Sequence, residues 1–459
     1  MNSRLELTAE EMREIGYSVV DVLVNHLATL KDQPVGDPAI LVPSFQEQPP
    51  EQGIPFPRLL ERVREVLSNT MHVNHPRFFA YVPGPSNFIG AMADALVSGY
   101  NVFAGTWISG SGPAAIELAT ISWLREFCGF PESAGGLFVS GGTMANLTAL
   151  AVARHVKLRD RTEDAVIYCS NQAHSSLEKA IRLLGFPEQS IRKLPADDVF
   201  RLSTASVSQA IRADRAEGKR PFCIIATAGT TNTGAIDPLW ALAALAKEHQ
   251  LWFHVDGAYG AAAALSQRSR VLLRGMELAD SLSLDPHKWL FQPFEAGCVL
   301  VRDHNHLRTT FQVLPEYLKD THQQSTEINF TDLGIQLTRS FRALKLWLSI
   351  NYFGLNAFSA AIERGFELAE FTEQCLRKLP GWTIVTPAQM GIVCFRHTAL
   401  GSDGHLRLVQ RLLADGFALV TSTVLSGQTV LRMCTINPRT TEEDIQGTLS
   451  RLNLLANQK

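Results

Sequence analysis

The stretch Ser281-Leu282-Ser283-Leu284-Asp285-Pro286-His287-Lys288-Trp289 places a lysine just past an apolar run. Upstream, Trp252-Phe253-His254-Val255-Asp256-Gly257-Ala258-Tyr259 carries a carboxylate in the same setting. Period-two alternation puts His254 and Asp256 on one side of a predicted strand, and Asp256 falls at its carboxyl end, where open α/β sheets place ligands. A lysine fixed among apolar neighbours loses hydration of its ammonium form, which makes the amine a usable nucleophile toward a carbonyl.

Around these two segments, residues 58 to 350 alternate short apolar runs with helical patterns. Strands are predicted at 136–140, 165–169, 222–227, 251–255, 280–284 and 297–301, and helices at 142–157, 174–184, 204–217 and 238–249. Such alternation predicts an α/β fold with a mostly parallel sheet and helices on both faces. From Arg339 onward two long helices meet near Gly354, and strand-like segments at 382–386, 391–396, 417–421 and 429–435 predict a small C-terminal α/β domain. Before the sheet, Thr8 and Glu11 form a capping box ahead of Met12, Ile15, Val19, Val22, Leu23, Leu27 and Leu30 at helical spacing. Seven prolines between 31 and 57 then predict an extended arm, so the helix is expected to pack against a second subunit. The expected division is 1–80 for the helical segment, 81–350 for the large domain and 351–459 for the small one.

A chain of 459 residues with 46% hydrophobic and 19% charged residues is not disordered. A net charge of −3 with scattered Lys and Arg argues against nucleic-acid binding. Seven cysteines without a Cys-x-x-Cys pair predict reduced thiols and exclude a zinc ribbon. The start lacks the order of a signal peptide and no window reaches membrane-spanning length, so a cytoplasmic protein with no membrane partner is expected.

Further chemistry gathers at other strand ends. Ser140-Gly141-Gly142-Thr143 opens a helix whose amides, glycines and hydroxyl suit a phosphate; the bland alternative is a plain N-cap. His174 follows a strand and starts a helix, where a flat imidazole could stack on an aromatic cofactor. Thr227-Ala228-Gly229-Thr230-Thr231-Asn232-Thr233-Gly234 ends another strand with hydroxyls that can hold an oxygen anion or make a turn. A phosphate cup, a flat ring, a carboxylate and a lysine together point to pyridoxal phosphate, with Lys288 as its Schiff-base residue and Asp256 facing its pyridine nitrogen. Two other readings compete. Gly110-Ser111-Gly112-Pro113-Ala114-Ala115 fits a dinucleotide fingerprint, but reads better as a loop glycine pair because no strand precedes it. His174, His254, Asp256 and His287 could form a metal site, but no histidine pair has metal-helix spacing, so no metal is expected.

These residues resemble the group II pyridoxal-phosphate decarboxylases, most closely the aromatic L-amino acid decarboxylase family. The likeness runs from His75-Pro76-Arg77-Phe78-Phe79-Ala80-Tyr81 through the segments above to Arg342-Ala343-Leu344-Lys345-Leu346-Trp347. The resemblance implies an aspartate-aminotransferase-like fold of type I, a homodimer with a swapped amino-terminal segment, and pyridoxal 5'-phosphate on Lys288. It implies that His174 stacks on the ring with Ala258 beneath, that Gly142, Thr143, Asp285 and His287 hold the phosphate, and that Thr231 lies near the ring. It makes Tyr317 the loop residue that protonates the substrate carbon, and Tyr81, Gly84 and His174 the substrate contacts. Departures are Gly84 for a threonine, Val73 for a tryptophan and Asp285 for an asparagine, the last of which needs a compensating donor or proton beside a phosphate. An aromatic substrate is expected; acidic or diamino substrates, an aldehyde synthase or aminotransferase reaction, a silent dimeric partner and an NAD-binding oxidoreductase are the alternatives.

Overall fold

The computed structural model describes residues 5–36, 47–313 and 327–458. Helices α1 (Ala9–Thr29), α2 (Phe56–Ser68), α3 (Phe88–Gly99) and α4 (Trp107–Phe127) come first. The main sheet then forms from β1 (Gly135–Val139), β2 (Ala165–Ser170), β3 (Ile191–Leu194), β4 (Arg220–Thr227), β5 (Trp252–Asp256), β6 (Ser281–Leu284) and β7 (Gly297–Val301). Between these strands run α5 (Gly142–Leu158), α6 (Ser176–Leu183), α7 (Thr204–Ala216), α8 (Leu239–His249) and α9 (Gln267–Leu272). The strand order is β1-β7-β6-β5-β4-β2-β3, and β7 alone runs against the rest. The chain crosses from β1 to β2 and β3 in one direction, then returns through β4, β5 and β6. Right-handed crossovers in opposite directions put α5 and α6 on one face and α7 and α8 on the other. The predicted mostly parallel sheet covered on both faces is thus present.

After α10 (Asn305–Phe311), α11 (Ala343–Phe353) and α12 (Leu355–Lys378) meet at Gly354, whose φ of 78° suits glycine. An antiparallel sheet follows, built from β8 (Trp382–Gln389), β9 (Ile392–His397), β10 (Thr421–Leu425) and β11 (Gln428–Cys434) in the order β10-β11-β9-β8, with α13 (Ser402–Ala414) and α14 (Glu442–Asn457). Alternation splits its strands between two cores: Ile392, Cys394, Val430 and Cys434 join the main one, whereas Val393, Phe395, Leu431 and Met433 join a second one.

Three expectations need correction. Strand β3, Ile-Arg-Lys-Leu, lies at the sheet edge with no fully buried residue, so its charges hid it from a hydrophobic reading. The segment expected as a strand at 417–421 pairs elsewhere: Phe79 N donates to Leu419 O and Leu419 N to Arg77 O, while β10 begins at Thr421. Gly110 and Gly112 lie inside α4, with a kink at Gly110, rather than in a loop, and no strand leads into them.

One buried ion pair ties this frame together. Arg339 and Glu117 are both almost fully buried, with Arg339 Nη2 2.6 Å from Glu117 Oε1 and donating also to Phe138 O at 2.9 Å. Glu117 Oε1 accepts from Phe138 N at 2.9 Å, so the pair clamps α4 to β1. Removing one partner strands the other charge, so Arg339→Met is expected to destabilise the fold by about 3–5 kcal/mol, with Glu117→Leu/Arg339→Met regaining much of it. Urea midpoints of the two variants check this.

Candidate active site

The carboxyl ends of β1, β4, β5 and β6 open on a cavity of about 350 Å³, within the range of small-ligand sites. Ser140–Thr143, His174, Thr231, Asp256, Ala258, Asp285, His287 and Lys288 all line it. One cavity therefore unites the predicted phosphate cup, flat ring, carboxylate and amine. Asp256 is buried because β5 lies in the middle of the sheet, and register decides its neighbours: His254 pairs with Ser281 and Asp256 with Ser283. Asp256 Oδ1 accepts from Ser283 Oγ at 3.1 Å and from Ala258 N at 3.2 Å, and Oδ2 accepts from Asn146 Nδ2 at 3.1 Å.

At the other end, α5 starts at Gly142 with no side chain capping its first amides, which leaves donors and positive helix-end charge facing the cavity. A Cβ on Gly142 would lie 2.9 Å from Asp285 Oδ2 and 3.0 Å from Ala258 Cβ, so glycine keeps the approach to these amides open. Lys288 differs from its predicted apolar setting: its Nζ lies 2.9 Å from Asp285 Oδ2. His287 Nε2 lies 3.6 Å from the same oxygen while its Nδ1 accepts from Ala296 N at 3.1 Å. Burial lowers the His287 pKa against the opposing charge of Asp285. His174 is exposed at the rim. Desolvation of its ring by the cavity wall lowers its pKa, outweighing the Asp256 charge, and Ser176 N donates to its Nδ1 at 3.1 Å.

The expected substrate contacts are more dispersed. Gly84 and Val73 line an adjoining cavity of about 1040 Å³ together with Phe294. A Cβ on Gly84 would lie 2.7 Å from both His287 O and Phe294 Cζ, so the Phe294 ring fills the space a side chain at 84 would need. Phe294, missed in the sequence, also packs against the His287 ring with centroids 5.0 Å apart. Tyr81 is exposed in a left-handed conformation, its carbonyl accepting from Arg432 Nη1 at 2.6 Å. Tyr317 lies outside the described residues. Asn146 and Ser283 were also missed; the signal for Asn146 was a polar side chain on the α5 face shared with Ala149, Leu150 and Ala153. His254 has both ring nitrogens committed to protein partners, Ser281 and Asn146, which is not how a metal ligand is used. Among the described residues no group of His, Cys, Asp or Glu gathers in metal-holding fashion.

An uncapped helix terminus at one end, a buried carboxylate at the other and an amine in the same cavity fit the phosphate, ring nitrogen and aldehyde of pyridoxal phosphate. The fold and this donor set define a pyridoxal-phosphate enzyme of fold type I. Residues 38–398 match the model of the pyridoxal-dependent decarboxylase conserved domain. The chain is 47% identical to the aromatic-L-amino-acid decarboxylase of Bacillus atrophaeus, over 100% of this chain and 98% of that one. It is 30% identical to a phenylacetaldehyde synthase of Arabidopsis thaliana, over 95% and 94%. The crystal structure of Oryza sativa TDC with PLP and tryptamine superposes with a TM-score of 0.93 at 28% identity, covering 98% of each chain. This chain belongs to the pyridoxal-dependent decarboxylase family and is a pyridoxal-phosphate-dependent carboxy-lyase.

Asp285 Oδ1 is buried without a partner, and Oδ2 lies beside Gly142 at the start of α5, 2.9 Å from where a Cβ there would stand. A carboxylate there repels a phosphate, whereas an amide donates to it. Asp285→Asn is therefore expected to bind pyridoxal phosphate about tenfold more tightly. Titration of the cofactor-free protein followed by absorbance measures this, and weaker binding would contradict it.

Proposed function

We propose that this chain decarboxylates aromatic L-amino acids to the corresponding amines and carbon dioxide, with Lys288 carrying pyridoxal 5'-phosphate. The observation that carries the reading is the convergence of Lys288, Asp256 and His174 on one cavity beside the uncapped start of α5. The full-length likeness to the Bacillus aromatic-L-amino-acid decarboxylase supports the substrate class. When bound, the cofactor supplies a conjugated ring able to accept the electron pair of the breaking carbon–carboxylate bond.

The chain's own residues do the rest. Gly142 and Thr143 at the start of α5, with His287, would receive the phosphate and set the depth of the ring, while the Asp285 carboxylate beside them is held by Lys288. Asp256 would keep a proton on the ring nitrogen through its opposite charge. His174 would cover one face of the ring and Ala258 the other, with Thr231 near its edge; all three line the cavity. Lys288 would hold the cofactor through its side-chain amine, at the cavity that the substrate amine enters. Tyr317, outside the described residues, would deliver the proton to the substrate carbon, as the family resemblance implies. Tyr81, Gly84 and Phe294 bound the substrate side chain, with the Phe294 ring as the aromatic wall.

Residues 1–80, 81–350 and 351–459 form the helical segment, the large domain and the small domain, as the second hydrophobic core around the small sheet supports. Helix α1 carries an apolar stripe yet buries no residue, which supports a homodimer in which a second copy covers it. All seven cysteines are unpaired, and no helix among the described residues is long and apolar enough to cross a membrane. Both agree with a place in the cytoplasm.

A panel of L-amino acids tests the reaction. Carbon dioxide and amine are expected from aromatic members, and Lys288→Ala is expected to lose turnover by at least a thousandfold. Aldehyde in place of amine, or turnover only of acidic substrates, would overturn the proposal. Sedimentation at micromolar concentration is expected to give twice the chain mass of 50.6 kDa, and a monomer would contradict the dimer.

A further inference from the structure

Behind Asp256 lies a row of buried side chains that the proposed chemistry does not use. Trp252 Nε1 donates to Ser281 Oγ at 2.8 Å, and Ser281 Oγ lies 2.9 Å from His254 Nδ1. His254 Nε2 lies 2.9 Å from Asn146 Oδ1. The Asn146 amide then donates one hydrogen to Asp256 Oδ2 at 3.1 Å and the other to Ser176 Oγ at 3.0 Å. His254, Asn146 and Ser281 are fully buried, so water cannot replace any of these partners.

The two ends of this row fix the direction of every proton in it. An indole N–H can only donate, and a carboxylate can only accept. Starting from Asp256, the Asn146 Nδ2 must face it, which turns Asn146 Oδ1 toward His254 and requires a hydrogen on His254 Nε2. His254 Nδ1 is then an acceptor and takes the Ser281 hydroxyl hydrogen. Starting from Trp252, the indole uses a Ser281 oxygen lone pair and leaves that hydroxyl free to donate to His254. Both ends give the same arrangement, and Asn146 uses both amide hydrogens and its carbonyl oxygen in it.

We propose that Asn146 and His254 are positioning residues for the decarboxylation, forming a proton-ordered row that holds Asp256 as a pure acceptor for the cofactor's ring nitrogen. This rests on the assignment of Asp256 to that nitrogen. The same row steadies His174, because Ser176 accepts from Asn146 through its hydroxyl and donates to His174 Nδ1 through its backbone N–H.

The electrostatics agree with a neutral His254. Its pKa is lowered to about 4, chiefly by burial, against smaller opposing effects from the Asp256 charge and the Ser281 backbone. Asp256, on its own strand, is the charge that acts on it; β6 presents Ser281 and α5 presents Asn146, both neutral, and His306 lies beyond the Trp252 ring with centroids 6.0 Å apart. Protonating His254 would put a hydrogen on Nδ1 against the Ser281 hydroxyl, forcing that hydroxyl to turn away from its acceptor.

The test has two arms. In the first, the protein is labelled with ¹⁵N-histidine and the His254 signal is assigned by its loss in His254→Gln. The ring is expected as the neutral form with hydrogen on Nε2 from about pH 5.5 to 8.5, with or without pyridoxal phosphate. An Nδ1–H form or an imidazolium in that range would overturn the proposal, because Asn146 would then have to turn its carbonyl toward Asp256. In the second, Asn146→Ala is expected to lower kcat about tenfold or more while KM and cofactor content stay within twofold. An unchanged kcat would overturn the proposal. The first arm needs no turnover and works on the unsubstituted chain. It therefore separates failure of this row from failure of the decarboxylase reading, and it stands if Asn146→Ala does not fold.

Discussion

The pairing of β5 with β6 is the constraint on which the site depends. Parallel register places His254 beside Ser281 and Asp256 beside Ser283, so one sheet face carries a row of polar groups through an otherwise apolar interior. Shifting that register by one residue would turn Asp256 away from the cavity and bring Val255 into its place. Each buried polar group on the row instead finds a partner, and the last of them, Asp256, ends with three donors and a face toward the cavity. The chain then leaves β6 and turns within four residues to bring Lys288 to the same cavity.

Much of this was legible in the sequence because the relevant signals were local. The apolar runs that became β1, β2, β4, β5, β6 and β7 stand within two residues of their predicted bounds, and the Thr8 capping box forms as read. What escaped was set by tertiary partners. The edge strand β3 is half charged, and Phe417–Val420 found residues 77–79 rather than a neighbouring hairpin strand. Asn146 stands out locally only as a polar side chain on the apolar face of α5, and its role comes from His254 more than a hundred positions away. The Gly110 and Gly112 pair shows the converse, a pattern resembling a nucleotide loop that the fold uses inside a helix.

The phosphate end combines two departures with one consequence. Asp285 brings a negative charge to the start of α5, where Lys288 and the helix amides now balance it. Gly84 leaves a gap that Phe294 occupies, so the wall near His287 is aromatic although no aromatic stands at 84. Both changes act at the cavity boundary and leave the β5–β6 row untouched. The chemistry of the ring nitrogen and the shape presented to a side chain are therefore set by separate parts of the fold.

The central claim is a covalent one, that the residue joined to the cofactor is Lys288. Protein saturated with pyridoxal phosphate, reduced with borohydride and digested, yields peptides whose masses locate the bound cofactor. The account predicts a single modified peptide carrying the cofactor on Lys288. Modification at another lysine, or none, would contradict it.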